Sequence, residues 1–367
     1  MIEHAFTGPP FTVGIEEELM LLDADTLALA GEIEAILESV PAEHEGQVKP
    51  ELLTSVLEIA TPPCADVNEA GAELAELRQM MVDLAADRNL LVGAAGTHPF
   101  GRWEDEGIVD RPRYRELVDE LGYIARRELI FGTHVHVAIE GADRAIYVAD
   151  GIRRYLPLLL ALSVNSPFWR GHASGLMSMR TPVFRAFPRC GIPPHYGTWE
   201  IYSHRVGQMM RAGAIEDYTY LWWDVRAHPN IGTVETRICD QQTSLEATLA
   251  LAALTAALAH KLSGLYDAEE PLVEYPSELI DDNKIRAAIR GMDGELVDFR
   301  AGHHVPAREL AEHLLDELAD DARELGCEAH LETVREMIRD GTGARRQLAA
   351  WEKRHQLEDV VRGLVLR

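Results

Sequence analysis

Lysine is nearly missing from this chain. Only Lys49, Lys261, Lys284 and Lys353 occur among 367 residues, and the other 31 of its 35 basic residues are arginines. Basic charge of either kind is outweighed by 61 acidic residues, for a formal net charge of -26. Such a field repels duplex nucleic acid and anionic membrane surfaces, so neither is an expected partner. Excess carboxylate with so little lysine points to a salt-rich cytosol, where self-repulsion is screened. A GC-rich genome would also favour arginine over lysine. Stability that fails to rise from low to multi-molar KCl would sink the salt reading.

Other absences narrow the class further. The four cysteines, Cys64, Cys190, Cys239 and Cys327, are scattered with no Cys-x-x-Cys pair. They read as free thiols of a reducing compartment rather than a disulfide framework. Residues 1–10 show no basic segment followed by an apolar stretch, so no signal peptide is visible and the expected location is cytoplasmic. The apolar run Leu156 to Trp169 is short and contains Pro157, Asn165 and Pro167. The run Leu249 to Leu262 is Ala-rich, bounded by Glu246 and Lys261, and reads as a buried helix rather than a membrane span. P-loop, Gly-x-Gly-x-x-Gly and catalytic-triad signatures are absent. Any nucleotide binding must use another design.

What is there reads as α+β, in a single domain over residues 1–367. Phe11 to Leu22 reads as a strand, and Leu129 to Ile139 alternates as a strand does. Short strands are expected at Leu90 to Gly96 and Gly232 to Asp240. Val67 to Asn89 places Leu74, Leu77, Met81 and Leu84 at helical spacing. Ala142 to Leu162 reads as a helix broken near Pro157, and Ser244 to Leu262 as another. Phe168 to Thr198 is too rich in Gly, Pro, Arg and His for one regular element, so it is a candidate lid. From about Arg308 onward amphipathic helices dominate, with breaks near Gly326 and Gly341-Thr342-Gly343. The expected core is a catalytic sheet, largely antiparallel, surrounded by helices.

Chemistry concentrates on a few strand faces. In Gly14-Ile15-Glu16-Glu17-Glu18, alternation puts Glu16 and Glu18 on one face and Glu17 on the other. Two carboxylates on one face repel unless a cation lies between them, and hard oxygen ligands suit Mg²⁺ or Mn²⁺. A solvated acidic edge strand would show the same pattern. Glu51 and Glu58 are seven residues apart, which fits one helical face, although strand alternation also holds locally. His134 and His136 share a face of their strand and suit a metal, a phosphate or a substrate. Glu235 and Arg237 share a face of theirs, a carboxylate beside a guanidinium. Arg180, Arg185 and Arg189 stand among Gly and Pro and could form an anion clamp. Together these residues are an inventory for cations bridging triphosphate oxygens, with arginines countering transferred phosphoryl charge.

Four segments carry a resemblance: Thr12 to Leu19, Gly132 to Val137, Asn165-Ser166-Pro167-Phe168-Trp169, and Trp222-Trp223-Asp224-Val225-Arg226 through Glu235-Thr236-Arg237. With the late Gly341 to Gln347 segment, they resemble the type 2 glutamate–cysteine ligase family, in its carboxylate–amine ligase branch, over nearly the whole chain. The resemblance implies a glutamine-synthetase-like catalytic domain. It implies that ATP phosphorylates the γ-carboxylate of glutamate and that the amine of cysteine attacks the acyl phosphate. The implied metal ligands are Glu16, Glu18, Glu51, Glu58, His134 and Glu235, around Mg²⁺ or Mn²⁺. Arg180 and Arg237 are the implied phosphate or substrate contacts. His134, His136 and Arg185 are the expected nucleotide contacts, with His136 the less constant position because some relatives carry another polar residue there. A ligase of the same chemistry acting on another amine or acid stays open. So does a metal-dependent hydrolase built on Glu16, Glu18, His134 and Glu235. A homodimer is the expected assembly.

Overall fold

The computed structural model describes residues 2–367. Its centre is β1 (Val13–Asp23), an eleven-residue strand long enough to serve three partners. Along one edge β1 pairs antiparallel with β5 (Gly132–Ala138). Along the other it pairs with β3 (Val56–Ala60), while β4 (Leu90–Gly93) follows β5 on the first edge, so that Met20 lies between Val56 and Gly93. β2 (Val48–Pro50) extends the sheet beyond β3. Beyond β5 come β7 (Thr233–Asp240) and then β6 (Val225–His228). All pairings in this seven-stranded sheet are antiparallel.

One face of the sheet is dry. Val13, Ile15 and Leu19 of β1, with Val135 and Val137 of β5, are buried in the main core with Leu74, Leu77 and Met81 of α1 (Val67–Ala86). Helix α1 starts where Asp66 accepts from the amides of Asn68 (2.7 Å) and Glu69 (2.9 Å), a cap worth about 1 kcal/mol. The long Ala/Leu helix α5 (Leu245–Asp267) packs on the same face, and 78% of its apolar window is buried. It is a core helix, as its composition suggests. Around it lie α2 (Ala142–Ile152), α3 (Leu156–Ser163), α4 (Trp199–Arg211) and α6 (Ser277–Arg290). The chain ends in α7 (Ala307–Glu317), α8 (Ala319–Glu324), α9 (Glu328–Asp340), α10 (Gly343–Arg354) and α11 (Leu357–Arg362).

Most expected elements are present within a few residues, and two readings change. The segment around Glu51 and Glu58 is extended: Glu51 follows β2 in a turn, and Glu58 sits on β3. Residues 168–198 break into a two-residue strand pair at Phe168–Trp169 and His172–Ala173, a short helix Arg180–Phe184, and a bridge from Cys190–Gly191 to Trp222–Trp223. Helices α4 and α6 and the hairpin Glu295–Asp298 with His303–Pro306 add to the expected elements; α4 and α6 bury residues at helical spacing, Trp199, Tyr202 and Val206 in one and Ile280, Lys284 and Ala287 in the other. All four cysteines are free.

Candidate active site

The wet face of the sheet is built by register. Glu16 lies opposite His134, and Glu18 lies directly opposite Glu58. On the flanks, Lys49 lies opposite Glu58, Glu235 opposite His136, and Arg226 opposite Glu235. Eight ionisable residues therefore meet because six strands hold one register, and a one-residue slip of any strand would turn its members to the dry face.

These side chains line a cavity of about 340 Å³. Glu16, Glu18, Glu51, Glu58, His134, Arg180 and Arg237 all face it, as do Lys49, Arg113, Glu128 and Arg226. Its far wall is aromatic, with Tyr114, Phe184, Phe187, Tyr220 and Trp222. His136 and Glu235 stand just behind the lining and reach it through Glu16, whose carboxylate is 3.6 Å from His136 Nε2. Arg185 does not join the cluster. It pairs with Asp281 at 2.6 Å and is half exposed, because the short helix turns its side chain away from the cavity that Arg180 and Phe184 face.

The electrostatics divide the site in two. Around Glu235, positive charge dominates: Arg226 donates from Nε at 2.5 Å, and Arg237 also donates to the carboxylate. Although burial opposes it, the two guanidiniums hold Glu235 well below the usual carboxylate range. Around Glu18, Glu51 and Glu58, negative charge accumulates. Burial, and then repulsion from Glu18, push Glu51 up to about 7. Burial and Glu16 push Glu58 well above its ordinary value, with Lys49 Nζ only partly countering at 3.2 Å. Glu16 goes the other way: against burial, His136 and His134 hold it well below.

One oxygen from each of Glu18, Glu51 and Glu58 can lie within 4.8 Å of the others, and so can atoms of Glu16, His136 and Glu235. The first trio fits a hard divalent cation best. It is all oxygen, and burial, with repulsion from neighbouring carboxylates added to it, raises two of its pKa values. In the second trio Glu235 is already countered by two arginines. Both His134 Nε2 and His136 Nε2 are buried without a hydrogen-bond partner among the described residues. The orphaned nitrogen of His134, which lines the cavity, marks a place a ligand would complete.

Arg180 is held from behind. Its amide donates to Ser166 Oγ (3.1 Å), and its guanidinium donates to the carbonyls of Ile238 and Arg237 (both 3.2 Å). Asp240, fully buried, accepts from Ser166 Oγ (2.7 Å), Ser178 Oγ (2.8 Å) and the Asn165 amide (2.8 Å). Gln347 of α10 donates to Asn165 at 2.8 Å, which ties the last motif of the chain to this loop. Glycine at 132 leaves room for this guanidinium: a Cβ there would push the Arg180 head group out of its place. Sequence reasoning missed Lys49, Glu128 and Arg226. Arg226 stands in a motif segment and Lys49 is one of four lysines, but Glu128 carries no such signal.

The fold defines the class of protein. A solved glutamate–cysteine ligase from Francisella tularensis, in complex with AMP, matches at TM-score 0.73 and 12% identity, over 99% of this chain and 89% of that one. A bifunctional glutathione synthetase from Pasteurella multocida matches at TM-score 0.66 and 15% identity, over 97% of this chain and 52% of its own. At such identities the likeness is one of fold, the glutamine-synthetase-like α+β fold of these ligases. The family follows from sequence. The family model described as glutamate-cysteine ligase family 2 matches residues 12–363. "Putative glutamate--cysteine ligase 2-1" of Rubrobacter xylanophilus is 41% identical over 99% of this chain and 96% of its own. "Putative glutamate--cysteine ligase 2" of Sorangium cellulosum is 42% identical over 97% of this chain and 95% of its own. The chain belongs to glutamate–cysteine ligase family 2.

Proposed function

We propose that this protein is an ATP- and Mg²⁺-dependent ligase that joins the γ-carboxylate of L-glutamate to the amine of L-cysteine. The observation that carries the reading is a single cavity lined both by Glu16, Glu18, Glu51 and Glu58 and by Arg180 and Arg237. A carboxylate is a poor electrophile, and phosphorylation gives it a leaving group. Glu18, Glu51 and Glu58 would hold Mg²⁺, or Mn²⁺ in its place, with Glu16 and His134 beside them. The bound cation would neutralise triphosphate oxygens. Arg180 and Arg237 counter the charge on the phosphoryl group as it moves to glutamate. Anchored to backbone carbonyls and to Glu235, they are already oriented before substrate arrives. Phe184, Phe187, Tyr220 and Trp222 keep water from the acyl phosphate.

The second reading keeps this chemistry with another amine or acid, because the cavity wall has no feature that selects a thiol. The test is to incubate the protein with ATP, Mg²⁺ and glutamate in KCl, with a panel of amines including cysteine, and to follow ADP and products. ADP release that needs both glutamate and cysteine supports the lead. Release with a different amine moves the reading to the second. Turnover without ATP, insensitive to loss of Arg180 and Arg237, would instead make the protein a metal-dependent hydrolase.

A further inference from the structure

Glu128 is the one carboxylate of the cavity wall that neither the cation cluster nor an arginine accounts for. It lies just before β5, four residues ahead of Gly132, and its side chain lines the cavity with Arg180, Phe184, Phe187 and Trp222. Both of its oxygens are buried, and neither has a hydrogen-bond partner among the described residues. No hydrogen bond joins it to Arg180 or Arg127, the positive charges that act on it. By contrast, Glu16 contacts His134 and His136, Glu58 contacts Lys49, and Glu235 contacts two arginines.

A buried carboxylate with four free lone-pair sites is a costly feature unless something binds it. No hydrogen bond fixes it, so its own side-chain rotations can bring the oxygens to a guest in the cavity. The guest it suits is a cation that donates hydrogen bonds, and a primary ammonium has three N–H donors and one positive charge. A divalent cation fits less well, because Glu128 belongs to neither group of clustered metal-ligating atoms. The aromatic residues beside it offer a water-poor wall in which such a pair would be strengthened.

We propose that Glu128 receives the amine substrate, its carboxylate holding the ammonium group of the incoming nucleophile in the cavity it shares with the phosphate-binding arginines. This rests on the ligase reading and narrows it. The nucleophile is a primary amine that enters as a cation; Glu128 selects it by charge, and its carboxylate takes the proton the ammonium must lose before the nitrogen lone pair attacks. Burial lifts Glu128 to about 8, so in the empty cavity it carries a proton near neutral pH, and an arriving cation stabilises its ionised form.

The test compares wild type with Glu128→Gln and Glu128→Asp. Two nucleophiles are used with ATP, Mg²⁺ and glutamate: cysteine, which enters as an ammonium, and hydroxylamine, which is largely neutral at neutral pH. Loss of a charge-assisted contact should raise KM for cysteine in Glu128→Gln by about tenfold to a hundredfold. The KM for glutamate should change far less, and the loss should be at least several-fold greater with cysteine than with hydroxylamine. Glu128→Asp should recover part of the difference. Replacing an unpaired buried acid by its amide should leave the unfolding midpoint equal to or above that of wild type. Equal losses with both nucleophiles, or a KM change confined to glutamate, would overturn the proposal and leave the ligase reading intact. A lowered unfolding midpoint with equal losses would make Glu128 a structural residue. Wild-type protein that makes neither hydroxamate nor peptide from glutamate and ATP would overturn the ligase reading and this proposal with it.

Discussion

Glu16 and Glu17 are adjacent on β1 and differ in almost everything that follows. Glu17 points to the dry face and is fully buried. Arg78 of α1 donates to both of its oxygens, and Thr248 of α5 donates at 2.7 Å. The same guanidinium also donates to the carbonyls of Gln242 and Thr243, each at 3.0 Å. The pair is closed, and nothing is left for a ligand to do. Glu16 points to the cavity, and its partners His134 and His136 each keep a buried nitrogen without a hydrogen-bond partner among the described residues. Complete hydrogen bonding ties a sheet to its helices, and incomplete hydrogen bonding on the opposite face leaves a site open for substrate.

The largest effect should come from opening the closed pair. Arg78→Met strands Glu17 in the core and should destabilise the fold by about 3–5 kcal/mol in urea denaturation. Removing both charges, with Glu17→Leu added, should recover most of that loss. If Arg78→Met costs no more than a surface substitution, the contrast between the faces collapses.

On the wet face the loss should fall on turnover instead. Glu16→Gln should lower ATP-dependent turnover by about a hundredfold or more while the protein stays folded by circular dichroism. Near-normal turnover would remove Glu16 from the site.

Metal binding should register as stability. At a hundredfold excess over its Kd, Mg²⁺ should add about 2.7 kcal/mol to wild type. Glu58→Gln should lose most of that increment, read as a smaller rise in the unfolding midpoint. The pH dependence has a definite sign. Glu51 and Glu128 are raised from 4.5 to about 7 and about 8, so the folded state keeps protons that the unfolded chain releases. Their contribution is full below the ordinary carboxylate value and is lost as pH rises through those raised values. In chelator, wild type should therefore lose stability relative to a Glu51→Gln, Glu128→Gln double variant between about pH 5 and 8, and Mg²⁺ should shrink that difference. A difference that runs the other way across this window would contradict the raised values assigned to these two carboxylates.

The smallest effect belongs to Arg185. Its exposed pairing with Asp281 predicts a change in stability within about 0.5 kcal/mol for Arg185→Ala, with turnover at the wild-type level. A large loss of ATP affinity would return it to the site.

Much of this contrast could be read from alternation alone. A strand period of two separates Glu16 and Glu18 from Glu17, and it likewise pairs His134 with His136 and Glu235 with Arg237. Glu51 and Glu58 were ambiguous because seven residues fit both two helical turns and a bent strand pair. Only pairing with β1 resolves it, placing Glu58 opposite Glu18. Arg185 misled because composition shows that arginines cluster but not which way a short helix turns them. Glu128 was invisible because its meaning lies in partners it lacks, and a missing contact has no spacing. The ties behind Arg180, from Asp240 through Ser166 to Gln347, span residues too distant in sequence for any local pattern to link.

The burial of α5 also has a consequence for how the chain is made. Helices α8 and α9 pack on this Ala/Leu helix, and Cys327, between them, lies against Ala253. A ribosome delivers α5 some fifty residues before that cover. Until residues 319–340 emerge, a nascent chain exposes a segment apolar enough to pass for a membrane span. Truncation near residue 307 would make that transient condition permanent. The product should partition to chaperones and inclusion bodies although every residue lining the cavity is present.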